Sequence, residues 1–301
     1  MTTRSDRAIG IGEVLWDLFP DGKRLGGAPA NCAYHAQALG ARGIVVSAVG
    51  EDKLGREILV RLDEVGLDRR FIHVDTQHPT GRVTVTLDEH GKPDFVIHEE
   101  VAWDYIPFTE ALRELARQAD AVCYGSLGQR SAVSRESVRR FLGATRLDCL
   151  RVFDINLRQS FYSAEMIADM LDLSNVLKLN DAELRTVAGL LDIRGSDSAV
   201  LGDLIERYDL DVVALTLGAD GSRLCTRDGE SSHAGVKVEV VDTVGAGDAF
   251  TAALILGLLR GDDLDEINEH ANRVASYVCT QRGAMPEIPE HLRLAPPTAE
   301  A

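Results

Sequence analysis

Short apolar runs rich in Val, Ile and Leu alternate with segments of helical period along this 301-residue chain, and that rhythm limits its fold more than any other feature. Ile44–Val49 reads as a strand. Asp52–Val65 follows as a helix, with Leu54, Ile58, Leu62 and Val65 on one face and Gly66 at the C-cap position. The alternation returns at Ala121–Leu127 with a helix near Val133–Leu142, then in strands at Arg151–Asn156, Val176–Asn180 and Asp211–Leu217. Strands separated by helices predict a mostly parallel sheet covered on both faces, so the fold class is α/β.

Two stretches break the rhythm. Arg82–Leu87 alternates apolar Val83, Val85 and Leu87 with polar residues; a turn is expected at Asp88–Pro93, and Phe95 and Ile97 resume the alternation. Glu13–Leu25 alternates at Val14, Trp16 and Leu18 before Pro20-Asp21-Gly22 turns the chain. Together, segments of about 13–25 and 82–103 predict a small sheet outside the main layer, placed to act as a lid. The tail from Ala295 onward reads as loose.

Composition removes several function classes. A formal net charge of −16 argues against a nucleic-acid partner, which needs clustered Lys and Arg. No apolar run approaches the roughly 20 residues of a membrane-spanning helix. No apolar stretch follows Met1 before the first strand, so a cytoplasmic location is expected. Cys32, Cys123, Cys149, Cys225 and Cys279 show no zinc spacing and read as small core residues, and His35 reads as structural.

The strongest chemical signal is Asp242-Thr-Val-Gly245-Ala246-Gly247-Asp248, a strand end running through small residues into an apolar helix. Amides of Gly245, Ala246 and Gly247 at a helix start can hold developing negative charge, and Asp248 in the first turn can take a hydroxyl proton. The plainer reading is a glycine-rich turn with an acid favouring a helix N-terminus. A second signal, Gly26-Gly27-Ala-Pro-Ala-Asn31, opens another helix with glycines that admit a ligand and an amide that can grip a polyol. Gly10-Ile-Gly12 lacks a third glycine, and no Walker A sequence is present, which argues against the dinucleotide and P-loop folds.

With both segments in view the chain resembles the ribokinase-like, or phosphofructokinase-B, carbohydrate kinases over nearly its whole length. Gly26–Asn31 with Val49–Gly55 resembles the family's N-terminal signature, and Asp242–Leu254 its C-terminal one. The resemblance implies a single three-layer kinase domain over 1–301 with the lid inserted, acting on ATP with Mg2+. It implies Asp248 as base, Gly245–Gly247 as anion hole, and sugar contacts from Asp17, Gly26, Gly27 and Asn31. Asn180 and Glu183 match the Asn-x-x-Glu motif that helps place magnesium and phosphates, although the same pair can form a helix capping box. Thr216, Gly218 and Gly221 match the nucleotide loop, and Asn272 a position near adenine and ribose. Arg158, in Asp154-Ile-Asn156-Leu-Arg158, would reach phosphate or sugar; a surface ion pair is the plainer alternative. Asp242, Val244, Val278, Gln281 and Gly283 match a K+ site, with Glu287 departing from its pattern. Trp103 and Phe95 either shape the sugar pocket or fill the lid core. The style is nearest to fructokinases, so fructose or a close sugar is the expected acceptor. A ketodeoxy sugar acid, ribose or a nucleoside stays open, as does a non-catalytic sensor. A homodimer through the lid is expected.

Overall fold

A computed structural model describes residues 6–87 and 93–293. The expected turn at 88–92 and the tail beyond 293 lie outside those residues. A nine-stranded sheet forms the centre, built from β1 (Arg7–Ile11), β4 (Arg42–Gly50), β5 (Asp68–Asp75), β8 (Ala121–Tyr124), β9 (Leu150–Asp154), β10 (Val176–Asn180), β11 (Val212–Thr216), β12 (Ser222–Cys225) and β13 (Glu230–His233). Its order is β13-β12-β11-β10-β9-β8-β1-β4-β5, parallel except for the β11–β12 and β12–β13 pairs. The remaining strands, β2 (Leu15–Phe19), β3 (Gly22–Gly26), β6 (Arg82–Leu87) and β7 (Pro93–Ile97), form a separate sheet ordered β3-β2-β6-β7.

Alternation along each central strand feeds two different cores. In β8, Ala121 and Cys123 face one helix layer while Val122 and Tyr124 face the other. In β11, Val212 and Ala214 divide from Val213 and Leu215 in the same way. The strands therefore read as continuous apolar runs, because both faces are buried. One layer contains α1 (Ala28–Ala38), α2 (Lys53–Glu64), α8 (Ala246–Arg260) and α9 (Leu264–Cys279). The opposite layer contains α3 (Glu110–Arg117), α4 (Ala132–Leu142), α5 (Ala164–Leu173), α6 (Asp181–Leu190) and α7 (Asp197–Tyr208).

Local chemistry explains the element ends. Asp52 caps α2 by accepting the Gly55 N–H at 2.8 Å, and Gly66 takes φ 74° just beyond it. Trp16 of the small sheet packs with Ile58 and Leu62 of α2, and its indole N–H donates to the Leu54 carbonyl at 3.0 Å. The opposite face, carrying Leu15, Asp17 and Phe19, looks into a cavity.

One expected strand is absent. Residues 234–242 form no regular element, and Val240 and Val241 are more than half exposed. With β13 at the sheet edge, this segment meets no partner strand; Val241 and Asp242 donate instead to the Cys279 carbonyl.

Candidate active site

A cavity of about 990 Å³ opens between the small sheet and the C-terminal edge of the central sheet. This is the edge at which open α/β sheets bind ligands. Asp248 lies within it, in the first turn of α8. No side chain caps that helix; the Ala246 N–H reaches the Thr243 carbonyl at a long 3.3 Å, and Gly245 holds the N-cap at φ 82°. A side chain at Gly245 would also collide with the Ala284 carbonyl, 2.5 Å from a Cβ there. Gly247 lines the cavity, whereas Ala246 packs its methyl group against the core.

Asp248 Oδ2 accepts a 2.7 Å hydrogen bond from Asn31 Nδ2, joining the two ends of the sequence. Burial raises the Asp248 pKa to about 6, and the Asp154 carboxylate adds to the rise. Asn31, Lys178 and Arg158 hold it down. At neutral pH the group is ionised, as a base requires.

Behind it lies a pair that the sequence reading did not single out. Lys178 Nζ donates to Asp154 Oδ1 at 3.0 Å, with both side chains under a tenth exposed. Asp154 Oδ2 accepts from the Thr251 hydroxyl at 2.7 Å, which ties the pair to α8. Burial lowers the Lys178 pKa, but the carboxylates of Asp154, Glu183 and Asp248 outweigh it and the net shift is upward. The ammonium sits against Gly247, 3.1 Å from where a Cβ would stand. It thus brings a fixed positive charge to the uncapped helix start. The available signal was a lone charge inside Val176-Leu-Lys-Leu-Asn180, a strand buried on both faces.

The sugar-facing expectations gather at the other end of the cavity. Asp17 pairs across the strands with Arg24, and Gly26 leaves room for it: a Cβ there would lie 2.6 Å from Asp17 Oδ2. Burial raises Asp17 to about 6 against the opposing pull of Arg158 and Arg24. Gly27, Asn31 and Phe95 also line this end, while Trp103 is fully buried in the core. Glu13, at the C-terminal end of β1, is a further acid missed in the sequence. It lines the cavity, is 2% exposed, and burial raises its pKa to about 7.

Arg158 lines the cavity, donates to its neighbour's Leu157 carbonyl at 3.0 Å, and makes no ion pair among the described residues. The surface ion-pair alternative therefore falls. Its loop is cross-braced, with Gln159 donating to the Phe95 carbonyl at 2.8 Å and Leu157 N–H to Glu183 Oε1 at 3.0 Å. Glu183 Oε2 accepts the Asn180 N–H, and Asn180 Oδ1 accepts the Glu183 N–H, both at 2.9 Å. The capping box is thus formed, and both residues still line the cavity.

Of the other expected positions, Asp242 and Val244 also line the cavity, whereas Gly218, Gly221, Asn272, Val278, Gln281 and Gly283 do not. Thr216 lines it, but Gly218 and Gly221 sit in the turn beyond β11. Asn272 spends its Nδ2 on Ser222 and Asn268 in a buried network under β12, which sets that nitrogen apart from the cavity. Asp242 uses its carboxylate to accept N–H groups of Val244 at 3.1 Å and Gly283 at 3.0 Å. The Val278 carbonyl accepts from Gln281 N–H at 2.9 Å. These five positions knit two loops beside Gly245.

An uncapped helix start, a buried carboxylate and a roofed cleft suit phosphoryl transfer to a small polyol. Residues 20–291 match the sequence family described as pfkB family carbohydrate kinase. The chain belongs to that family. This carbohydrate kinase is 31% identical to a sugar kinase of Pyrococcus horikoshii, over 91% of this chain and 90% of the relative. It is 30% identical to a fructokinase of Escherichia coli, over 93% and 95%. Among solved structures it is similar to a Vibrio cholerae fructokinase in its fructose-, ADP- and calcium-bound form. That match has a TM-score of 0.79 and 26% identity, covering 96% of each chain. Among the described residues, no helix is long and apolar enough to cross a membrane.

Proposed function

We propose that this kinase transfers the terminal phosphoryl group of ATP to a hydroxyl of fructose or a close sugar, with Asp248 as general base. The carrying observation is the Asp248 carboxylate, lining the cavity in the first turn of a helix that no side chain caps. The hydroxyl proton passes to Asp248, the freed oxygen forms the new bond to phosphorus, and the bond to the ADP oxygen breaks. Amides of Gly245–Gly247 and the Lys178 ammonium stabilise charge on the transferring group. Arg158, on a braced loop, holds sugar or phosphate.

Magnesium, when bound with ATP, neutralises phosphate charge. No group of three or more His, Cys, Asp or Glu among the described residues could hold a metal directly. Glu183 already accepts two backbone N–H groups, so it suits a water-mediated role, in keeping with the waters that Mg2+ usually keeps. A K+ ion at Asp242, Val244, Val278, Gln281 and Gly283 would draw on their remaining carbonyl lone pairs. The relatives' names support fructose, and Asp17 and Asp248 favour a neutral acceptor over an anion. The guanidinium of Arg158, which lines the cavity and makes no ion pair among the described residues, favours the second reading, a ketodeoxy sugar acid.

The small sheet roofs the cleft and acts as a lid, and the half-exposed Phe95 and Val96 suit pairing with a second copy. A coupled ADP assay over fructose, ribose, a ketodeoxy acid and nucleosides tests the substrate, with Asp248→Asn as control. ADP formation that ignores every sugar would remove the proposal.

A further inference from the structure

Two buried oxygens near the start of α1 lack a hydrogen-bond donor: Glu13 Oε2, just beyond β1, and Asn31 Oδ1, in the first turn of the helix. Each is shielded from solvent, and each belongs to a residue that lines the cavity. They lie in one neighbourhood. The backbone N–H of Ala28, the first residue of α1, acts on the Glu13 carboxyl, and Asn31 is one helical turn farther on. Side chains in a helix tilt toward its N-terminus, which carries Asn31 back toward Glu13. The Gly128 backbone closes the other side of Glu13 Oε2, 3.2 Å away from a Cβ position there.

Two orphaned acceptors in one neighbourhood are costly, and a single proton shared between them would resolve both. We infer that Glu13 is held as a neutral carboxylic acid whose O–H donates to Asn31 Oδ1, making Glu13 a positioning residue for Asp248. The chain of bonds is then Glu13 to Asn31 Oδ1, and Asn31 Nδ2 to Asp248 Oδ2. An Asn amide anchored at its oxygen cannot flip, so its N–H stays on the base. The inference rests on the reading of Asp248 as base.

The titration of Glu13 is consistent with the geometry. Burial holds its pKa near 7, and the Asp248 carboxylate raises it while Arg158 and the N–H groups of Glu13 and Ala28 lower it. The charged groups around Asp248 are Asp154, Lys178 and Arg158, and Asp17 faces the same cavity from β2. Bound ATP adds negative charge and disfavours ionisation of Glu13 further.

The test compares Glu13→Gln with Glu13→Leu. A glutamine amide can donate to Asn31 Oδ1 at any pH; leucine cannot. Glu13→Gln should keep kcat close to native, whereas Glu13→Leu should lower kcat by on the order of 10–100-fold with the sugar KM little changed. The native rate should fall as pH rises through and above about 7, and Glu13→Gln should lack that limb. Independently of activity, the melting temperature of the native protein should fall relative to Glu13→Gln between about pH 5 and pH 7.5, then level off. Equal impairment of both variants, a loss confined to KM, or identical pH profiles would overturn the inference. If Glu13→Leu does not fold, the pH profile and the melts of Glu13→Gln decide alone. An active Asp248→Asn would instead sink the base reading.

Discussion

A general base at Asp248 would have to be desolvated enough to be reactive and charged enough to accept a proton, and its neighbours divide those tasks. Burial and Asp154 raise its pKa, while Asn31, Lys178 and Arg158 keep it near 6. Asp248→Asn should therefore cut kcat by about 10²–10⁴-fold while sparing sugar binding, measurable by steady-state kinetics and by sugar titration of the variant. Near-native turnover in a folded Asp248→Asn protein would remove it as base. Lys178→Met takes one partner from a buried ion pair, a change that typically costs about 3–5 kcal/mol. It should also move the acidic limb of the rate profile to higher pH, because a cation that favours ionised Asp248 is gone. Adding Asp154→Asn should recover stability but not the rate. Asp248, Gly245 and Gly247 were legible because a helix start must be built from adjacent residues. Glu13 and Lys178 were not, because their meaning comes from partners brought in by the sheet: Asp154 is 24 residues from Lys178.

At the scale of elements, the junctions carry more function than the helices and strands themselves. The β10–α6 junction is closed by Asn180 and Glu183, and the same Glu183 braces the loop of Arg158. Glu183→Ala should lose about 1 kcal/mol of cap stability and loosen Arg158, lowering turnover. Glu183→Gln keeps one acceptor oxygen for the cap and loses the one that braces Leu157, so a rise in the magnesium concentration for half-maximal rate beyond that of Glu183→Ala would be needed to assign a role to charge. An unchanged magnesium titration would leave the cap as its whole role. The small sheet should exclude water during transfer. Asp17→Ala should weaken sugar affinity and raise the share of ATP lost to hydrolysis, read as ADP formed per sugar phosphate. Unchanged sugar affinity would count against the lid assignment. The strands of the central sheet were legible because both faces are buried, so apolar runs stand out between helical periods. The period-2 pattern marked the small sheet for a different reason: one face packs on α2 and the other looks into the cavity. The segment ending at Asp242 misled because Val240 and Val241 look like strand residues, yet no neighbouring strand is there to receive them.

For the whole molecule, the site sets the pH response of the fold. Glu13, Asp17 and Asp248 all have raised values, near 7, 6 and 6, so the folded chain binds more protons than the unfolded one between roughly pH 4 and 7. Their contribution is present at lower pH and is lost as pH rises through those values. Buried His35, lowered to about 4, works the other way between about pH 4 and 6.5. His98 and His270, also lowered by burial, add to His35 below about pH 6.5, so the melting temperature should decline from about pH 6.5 to pH 8, where the acids act alone, and sugar with ATP should offset part of that decline. A flat or rising profile would show that the acids titrate normally. The Asn31–Asp248 bond joins residues 217 apart, and α1, which supplies Asn31, also reaches Ala284 through a 2.8 Å His35 contact. At roughly 5–20 residues per second of synthesis, the half of the centre carried by α1 emerges on the order of 10–40 s before its counterpart. A nascent chain therefore has no assembled site for most of its production. A fragment that stops short of α8 lacks Asp248, so on the proposed mechanism it should show no turnover.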